Sequence, residues 1–464
     1  PRTRAGGAPS RPSNEGSWLA ALRGAEAGRA SARQWEAKAA GMAPAIGAMM
    51  ASGPANEGYS ELGVRRGEGT KVTESIFLSN KQASKDRKIT WKEEQAACCN
   101  IFAHWLNVLL IFVPIGILSK YYEWSCAIIF FSNFLAIVPL ASILGASTEA
   151  MASHTGQMVG GLLNATFGNA VEMIMCVQAV RAGLIRVVQG NLLGSILSNL
   201  LLVLGMAILG AGLKNHSAKF NAHGAAANMT CQVVASISIC LPTMFRGVAG
   251  TSDEAVLLLS RICSIFLTLV YFAFLFFQLK THSDLFEDGH EGGGHEEGGG
   301  AEGAAEPEPE MSLGTSCLML AVTTIVVAAC SECLVDSIEG VSDGYGLPKA
   351  FIGVILLPIV GNAAEHATAV TCAMKGMMDL ALGVAVGSST QIALFVVPCS
   401  VLWGWAFDED MTLNFRTFDT ACQMLSVFLV SQVLQHGNTN WLHGLMLMTT
   451  YFLIAVITWF IPEE

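Results

Sequence analysis

The sequence predicts an all-α polytopic membrane protein with about eleven transmembrane helices, built as one leading helix and two inverted five-helix repeats. Its composition is the first observation: of 464 residues, 52% are hydrophobic and only 14% are charged, which is too apolar for a soluble protein of this size. The second is a series of apolar runs of membrane-spanning length. The third is the recurrence of two of these runs later in the chain, with their polar residues in register.

Charge and cysteine content exclude several classes of protein. The formal net charge is −11, but about ten of the acids lie between Asp284 and Glu310, where no Lys or Arg occurs. No basic stripe interleaved with aromatic residues lies in a predicted exposed segment, so nucleic acid is not an expected partner. The 13 cysteines include a single CxxC pair, Cys330 and Cys333, and fall mostly inside apolar runs. We therefore expect neither a disulfide framework nor a structural zinc site.

Residues 1–95 are predicted to be a disordered N-terminal arm, because Ala, Gly, Ser and Arg dominate them without a sustained apolar period. The arm starts at Pro1 without a Met, which favours a truncated start. A transit segment is the alternative for its Arg- and Ala-rich beginning, although Glu15, Glu26 and Glu36 interrupt it.

The remaining chain divides into a leading transmembrane helix at 96–120, a first five-helix repeat at 121–280, an acidic Gly/Glu/His linker at 281–311 and a second five-helix repeat at 312–464. Each apolar run must be a helix, because lipid offers no hydrogen-bond partners to the backbone. The predicted spans are roughly 100–118, 122–144, 157–181, 187–212, 228–246, 254–279, 312–334, 349–374, 379–405, 417–435 and 441–461.

The linker is predicted to be a flexible, solvated spacer because of its Gly-rich composition. Its alternative role, through His282, His290 and His295, is to sense cations weakly.

The charges next to the first span predict the orientation of the protein. Five basic residues precede this span and favour a cytosolic N-terminus. Eleven spans then place the linker in the cytosol and the C-terminus in the lumen. The basic residues are Lys81, Lys85, Arg87, Lys88 and Lys92.

An internal repeat relates the third and fourth spans to the eighth and ninth. Residues 160–205 align with 353–398 at a constant offset of 193 without a gap, and 13 of 46 positions are identical. Because each half has an odd number of spans, the two halves enter the membrane from opposite sides and are related by a pseudo-two-fold axis in its plane. Such repeats place the transport site at their interface.

The repeat carries one glutamate in the middle of each half, Glu172 and Glu365. A charge at that depth costs several kcal/mol or more, so two of them in register, each with an Asn three residues earlier, favour a binding site over protonated residues bonded to a neighbouring helix. Glycines beside them also allow close helix packing, and Pro358 frees the Val354 carbonyl as a further ligand. The candidate metal- and proton-binding residues are Glu172, Glu365, Asn169, Asn362, Gly168, Gly361, Ser195, Ser198, Ser388 and Gln391.

These side chains suit a hard cation. Calcium takes six to eight oxygen ligands from carboxylates, amides, backbone carbonyls and water, whereas the nearby Cys176 and Cys372 have no matching partners for a thiolate site. A low dielectric favours the neutral form of a carboxyl group, and a bound divalent cation favours the carboxylate. The same two Glu residues are therefore expected to bind either metal or protons.

Other acids lie at the ends of the second and seventh spans, which occupy equivalent places in the two repeats. They are expected to line the access paths, with a solvated helix end as the alternative. His366, next to Glu365, is expected to pack beside the site or tune its proton binding. The acids are Glu149, Glu332, Asp336 and Glu339.

Four segments closely resemble the signatures of the cation/proton exchanger family of calcium antiporters of vacuoles and similar organelles. The resemblance covers about residues 100–461 and implies a leading helix, two inverted five-helix repeats, an acidic linker, and cation coordination by Glu172 and Glu365 with the adjacent Asn and facing Ser and Gln groups. The family usually shows paired acids at the end of the second span, where this chain has Glu149 alone. The segments are NATFGNAVE (164–172), GNLLGSILSNLLLVLG (190–205), ECLVDSIEG (332–340) and GNAAEHATAV (361–370).

The resulting hypothesis is a secondary active antiporter, not an enzyme, that exchanges calcium for protons by alternating access across a vacuolar or other acidic organelle membrane. Its partners are calcium, protons and the lipid bilayer, and no cofactor is expected. The residues do not distinguish calcium from manganese and leave a homo-oligomer open. The alternatives are a sodium- or potassium-dependent calcium exchanger, a passive cation channel, and an intramembrane hydrolase using Glu365 and His366.

Overall fold

Long apolar helices make up nearly all of the protein that the structure, a computed structural model, describes: residues 90–155, 157–282 and 311–461. Eight helices in these ranges are long and apolar enough to cross a membrane, and ten crossings result if two bent helix pairs each count as one. The predicted N-terminal arm up to residue 89 and the linker residues 283–310 lie outside the described ranges.

The first half begins at a capping box. The Thr90 hydroxyl accepts a hydrogen bond from the Glu93 N–H at 3.4 Å, and the Glu93 carboxylate accepts one from the Thr90 N–H at 2.8 Å, so two donors at the helix start are satisfied. The elements are α1 (Trp91–Phe102), α2 (Trp105–Tyr121), α3 (Cys126–Thr155), α4 (Gln157–Phe167), α5 (Ala170–Arg181), α6 (Ile185–Lys214), β1 (Ala218–Lys219), α7 (Ala222–Arg246) and α8 (Asp253–Thr281).

The second half starts after the linker with a Ser312 N-cap, whose side chain accepts a hydrogen bond from the Thr315 N–H. The elements are α9 (Leu313–Tyr345), α10 (Lys349–Gly361), α11 (Ala363–Met374), α12 (Met378–Ala406), α13 (Thr417–Leu434), β2 (Asn438–Thr439) and α14 (Trp441–Phe460).

The leading span and the third span differ from simple straight helices. A bend of 79° separates α1 from α2, between Phe102 and Trp105. The third predicted span is the pair α4 and α5, of 11 and 12 residues, which is not among the ten crossings. The total of eleven therefore stays a prediction.

The helices pack as two inverted repeats. In the first repeat α5 packs against α9 and α12 of the second, and in the second repeat α11 packs against α3 and α6 of the first. The helices α3 and α9, which are equivalent in the two repeats, also pack against each other, as do α7 and α13. This exchange of partners is what a pseudo-two-fold axis in the membrane plane produces.

Contacts between connecting segments define two ends of the bundle. At the end that we call the strand end, β1 and β2 pair antiparallel, with Ala218 opposite Thr439. At the opposite end, Lys120 forms an ion pair with Asp336 at 2.9 Å, and Arg186 donates to the Asn414 carbonyl at 3.1 Å. Successive helices run between these two ends, so the ion-site helices α5 and α11 enter the bundle from opposite ends.

Candidate functional site

In both repeats the helix that carries the glutamate is broken at the same position. In the first repeat α4 ends at Phe167 and α5 begins at Ala170, and in the second α10 ends at Gly361 and α11 begins at Ala363, with a bend of 56°. The Asn of each pair therefore lies at the break, as the N-cap residue of the helix that carries the Glu. Asn suits this position because it tolerates a non-helical backbone better than most residues.

The break places each glutamate in the first turn of a helix. Glu172 is the third residue of α5 and Glu365 is the third residue of α11. Backbone N–H groups in a first turn have no partner within the helix, and the helix dipole is positive there. Each carboxylate is thus held at a position that favours negative charge inside an otherwise apolar bundle.

The two glutamates differ in their exposure. Glu172 is 1% exposed, and neither of its carboxylate oxygens has a hydrogen-bond partner among the described residues. Glu365 is partly exposed, although its Oε2 atom is buried and equally unpartnered within the described ranges. The half of the site around Glu172 is therefore closed, and the half around Glu365 is more open.

The Glu172 carboxylate lies against the break of the opposite repeat. A Cβ atom placed on Gly361 would lie 2.7 Å from Glu172 Oε1, so the absence of a side chain at this position makes room for the carboxylate. Gly361 is four residues before Glu365 on the same broken helix. The structure thus brings the acid of the first repeat to the site helix of the second, as the repeat predicts.

Polar side chains next to the glutamates form a second link between the repeats. Asn169 donates to Gln391 Oε1 at 2.9 Å, and the Ser388 hydroxyl donates to Asn169 Oδ1 at 3.3 Å. In the other direction, Asn362 donates to the Ser195 carbonyl at 3.3 Å. Ser195 and Ser388 are equivalent in the repeat, so each Asn contacts the same region of the other half.

Several oxygen atoms around this network are buried without a hydrogen-bond partner among the described residues. They belong to Ser195 Oγ, Ser198 Oγ and Asn362 Oδ1, in addition to the carboxylates. A buried polar atom left unpaired costs about 1–3 kcal/mol, so such a cluster is expected to bind a cation, protons or water. All of these potential metal ligands are hard oxygen atoms, the kind that calcium, magnesium and manganese prefer.

Helix irregularities lie beside the serines. Turns with i to i+5 hydrogen bonding occur at Ser198–Val203 in α6 and at Gly383–Gly387 and Ile392–Val396 in α12. Turns of this kind are frequent at functional sites, because they leave backbone carbonyls outside the regular ladder. The Val354 carbonyl, by contrast, lies against Gly194 of α6, where it forms part of a helix crossing.

His366 is held by the break in the second repeat. Its Nδ1 atom lies 2.5 Å from the Asn362 carbonyl oxygen, so Nδ1 carries a proton that it donates to this acceptor. The Nε2 atom is buried without a partner among the described residues. In the neutral ring Nε2 therefore carries no proton and can accept a hydrogen bond or a proton next to the more open half of the site.

The acids predicted to line access paths are not part of this cluster. Asp336 pairs with Lys120 at 2.9 Å, and Glu339 lies 3.8 Å from Lys349. Glu149 and Glu332 are exposed on their helices. Asp336 and Glu339 therefore take part in ion pairs. That any of the four acids lines an access path to the ion site stays a prediction.

Asn199 is a site residue that the sequence analysis missed. It donates to Ser388 Oγ at 3.2 Å, and its Oδ1 atom is buried without a partner in the described chain. The equivalent position in the second repeat is Ile392, so the comparison of the two halves gave no signal there. The signal available was its place next to Ser198 in the segment GNLLGSILSNLLLVLG.

The cysteines take no part in the site. All 13 are free thiols, and no group of three or more His, Cys, Asp or Glu side chains in the described ranges is placed to hold a metal ion. A metal ion at the repeat interface would therefore be bound by two carboxylates together with neutral amide, hydroxyl and carbonyl oxygens.

Comparison with known proteins agrees with this architecture. A family profile described as sodium/calcium exchanger protein matches residues 125–280 and 315–460, which are the two repeats. The vacuolar calcium ion transporter of Schizosaccharomyces pombe is 39% identical over 366 residues, which cover 78% of this chain and 86% of the relative. Vacuolar cation/proton exchanger 3 of Oryza sativa subsp. japonica is 43% identical over 365 residues, covering 76% and 85%.

A solved structure shows the same fold. The selenium-substituted Ca2+/H+ antiporter protein YfkE superposes with a TM-score of 0.65 at 34% identity, covering 77% of this chain and 99% of that chain. The two matched segments, the identities and the shared helical architecture lead to one conclusion. This chain belongs to the sodium/calcium exchanger protein family and, within it, to the vacuolar-type cation/proton exchangers.

Proposed function

We propose that this protein is a secondary active antiporter that exchanges calcium for protons across a vacuolar or other acidic organelle membrane, with Glu172 and Glu365 binding metal and protons in turn. One observation carries the proposal: the Glu172 carboxylate is buried, has no partner among the described residues, and lies against Gly361 of the opposite repeat. A charge in that position needs either a cation or a proton.

Competition between the two ligands couples their transport. With the site open to an acidic compartment, protons neutralise the carboxylates and a bound cation leaves. With the site open to a neutral compartment, the carboxylates ionise and bind calcium. Neither ligand needs to meet the other in the site, because each stabilises the buried acids on its own.

The uneven exposure of the site supports alternating access. Among the site residues, Ser195 and Ser198 of the first repeat are buried at 1% and 0% exposure, while Ser388 and Gln391 of the second repeat are partly exposed. Because the repeats are inverted, exchanging the conformations of the two halves would close the second and open the first. Alternating access then needs no change in the coordinating residues.

The names of the relatives support the same ligands. One is a vacuolar calcium ion transporter, one a vacuolar cation/proton exchanger, and the superposed structure a Ca2+/H+ antiporter. They also support the vacuole as the compartment. Under the predicted orientation the strand end faces the cytosol and the opposite end faces the acidic lumen.

The proposal is tested with the purified full chain in sodium-free, acid-loaded vesicles. We expect uptake of calcium against its gradient together with alkalinisation of the vesicle interior, and a proton ionophore should abolish both. Strict dependence on sodium or potassium would establish the rival exchanger, and downhill calcium flux without proton movement would establish a channel. Repeating the assay with manganese and other divalent cations measures the selectivity.

A further inference from the structure

A second buried polar region lies between α7 and α13, outside the ion site. These two helices pack against each other, and five polar side chains at their contact are between 0% and 8% exposed. We call this group the polar column. Its members are Asn228, Gln232 and Ser236 of α7 and Asp419 and Gln423 of α13.

The column is continuous along both helices. Its residues on α7 are spaced four apart and so lie on one helix face, as do Asp419 and Gln423 on α13. The two faces are joined where Gln423 Nε2 donates to Ser236 Oγ at 2.5 Å. The polar groups therefore lie along one face of each helix, and the two faces meet at this hydrogen bond.

Two members of the column have buried polar atoms without partners. Both the Oε1 and Nε2 atoms of Gln232 and the Oε1 atom of Gln423 lack a hydrogen bond within the described chain, and both side chains are 0% exposed. Burying such an amide unpaired costs about 1–3 kcal/mol. A contact that only joined the helices would need the single bond from Gln423 to Ser236, so the unpartnered atoms indicate a bound molecule.

The inner end of the column adjoins the ion site. Thr390 Oγ1 lies 3.5 Å from the Asn228 carbonyl oxygen. Thr390 directly precedes Gln391, which accepts the hydrogen bond from Asn169. The Ser389 hydroxyl beside it is buried without a partner among the described residues.

The outer end reaches the surface at the opposite end of the bundle. Asp419 is the third residue of α13 and is held by Arg416, with Nη2 and Nε each 2.7 Å from Asp419 Oδ2. The Arg416 side chain is 17% exposed and Asp419 is 5% exposed, so this ion pair lies at the boundary between the column and solvent.

The chemistry of the column suits water and does not suit calcium. Between Asn228 and Gln423 it offers only neutral amide and hydroxyl groups and no carboxylate, whereas the ion site offers two carboxylates to a calcium ion. A buried water needs two to four polar partners, with both donors and acceptors among them. The unpartnered acceptor and donor atoms of Gln232 and the acceptor of Gln423 are such partners.

We propose that the polar column holds a file of water molecules that conducts protons between the ion site and the Asp419 end of the bundle, separately from the calcium path. Protons pass between hydrogen-bonded waters, so no side chain of the column has to change its charge. This inference rests on the proposed calcium/proton exchange. Under the predicted orientation, the file would lead from the acidic lumen to the two glutamates.

The test compares two transport modes of the same full-length protein in vesicles. Calcium/proton exchange requires proton movement, whereas exchange of labelled for unlabelled calcium across the membrane does not. Gln232→Leu and Gln423→Leu remove the amides with little change in volume. We expect each to slow calcium/proton exchange by about tenfold while calcium/calcium exchange stays within about twofold of wild type. The matched control is Gln432→Leu, the same change on the exposed face of α13, which should leave both modes unchanged.

Each other outcome decides against the proposal. An equal loss of both modes in the two variants would make the column a structural contact or part of the calcium path, and unchanged rates in both modes would show that protons take another route. If the wild-type protein does not couple calcium uptake to proton movement, the proposed function itself is overturned. Calcium/proton exchange by the wild type is therefore measured before any variant is compared.

Discussion

A carboxylate removed from water inside a membrane protein needs a counter-charge or a proton, and the surroundings of Glu172 leave room for either. No hydrogen bond from a described residue satisfies its oxygens. The nearby Asn169 and Asn362 side chains bond across the repeat interface instead. The polar neighbours therefore fix the geometry of the site, and the charge of the site depends on what it binds.

Replacing either acid by its amide tests this dependence directly. Glu172→Gln and Glu365→Gln each remove a charge that a divalent cation needs, at a cost of about 3 kcal/mol or more, so we expect calcium uptake into acid-loaded vesicles to fall by at least about a hundredfold. Thermal unfolding in detergent should show that both variants fold. Glu254→Gln, the same change at an exposed position at the start of α8, is the control. Wild-type uptake in either site variant would remove the basis of the assignment.

Gly361 offers a test that leaves every charged group in place. A methyl group there would lie 2.7 Å from Glu172 Oε1, so Gly361→Ala should push the carboxylate out of position, and a displacement near 1 Å can cost about a hundredfold in activity. We expect the calcium concentration at half-maximal uptake to rise by about tenfold or more. Gly145→Ala, with no atom within 4 Å of the new methyl group, should behave as wild type. An unchanged calcium dependence in Gly361→Ala would mean that Glu172 does not contact calcium from this position.

At the scale of helices, the residues that the two halves share were the easiest to predict. The glutamates, the asparagines, Ser195 and Ser388 could be predicted because they recur at a constant offset inside apolar runs. Asn199 could not, since Ile392 stands at its equivalent position. Periodicity also could not reveal the i to i+5 turns in α6, α10 and α12, which lie within apolar runs that read as ordinary helices.

The crossing of α6 and α10 shows such a difference between equivalent positions. A Cβ on Gly194 would overlap the Val354 carbonyl oxygen and lie 2.6 Å from Pro358 Cγ, whereas one on Gly387 would meet no atom within 4 Å. We expect Gly194→Ala to force the helices apart and lower the free energy of unfolding by about 1–3 kcal/mol. Gly387→Ala should leave it unchanged or raise it by about 0.5–1 kcal/mol, as Ala does in a helix. Thermal unfolding of the detergent-solubilised variants measures both, and equal stabilities would contradict the close crossing.

At the scale of the whole molecule, the odd number of predicted spans in each half was enough to predict how the two repeats pack. An odd number of spans in each half required inversion, and the exchange of partners between α5 and α11 follows from it. The depth of individual side chains could not be predicted in the same way. Tyr451, for example, is 1% exposed in the middle of α14, whereas its neighbour Phe452 is 53% exposed. Burial depends on which neighbouring helix covers a face, and the sequence of one helix does not contain that information.

The acidic linker is the part of the chain where composition alone supports a prediction. Both helices that flank it are anchored without it: Gly161 of α4 lies against Leu279 near the end of α8, and His154 contacts the Met311 carbonyl at 2.6 Å before α9 begins. A solvated spacer adds nothing to those contacts. We therefore expect deletion of residues 287–308 to preserve proton-driven calcium uptake within about threefold. Replacing the same residues by a Gly/Ser segment of equal length separates the effect of charge from that of reach. Loss of uptake in both correctly targeted variants would assign the linker a role in transport, and loss in the deletion alone would show that the two repeats need its length.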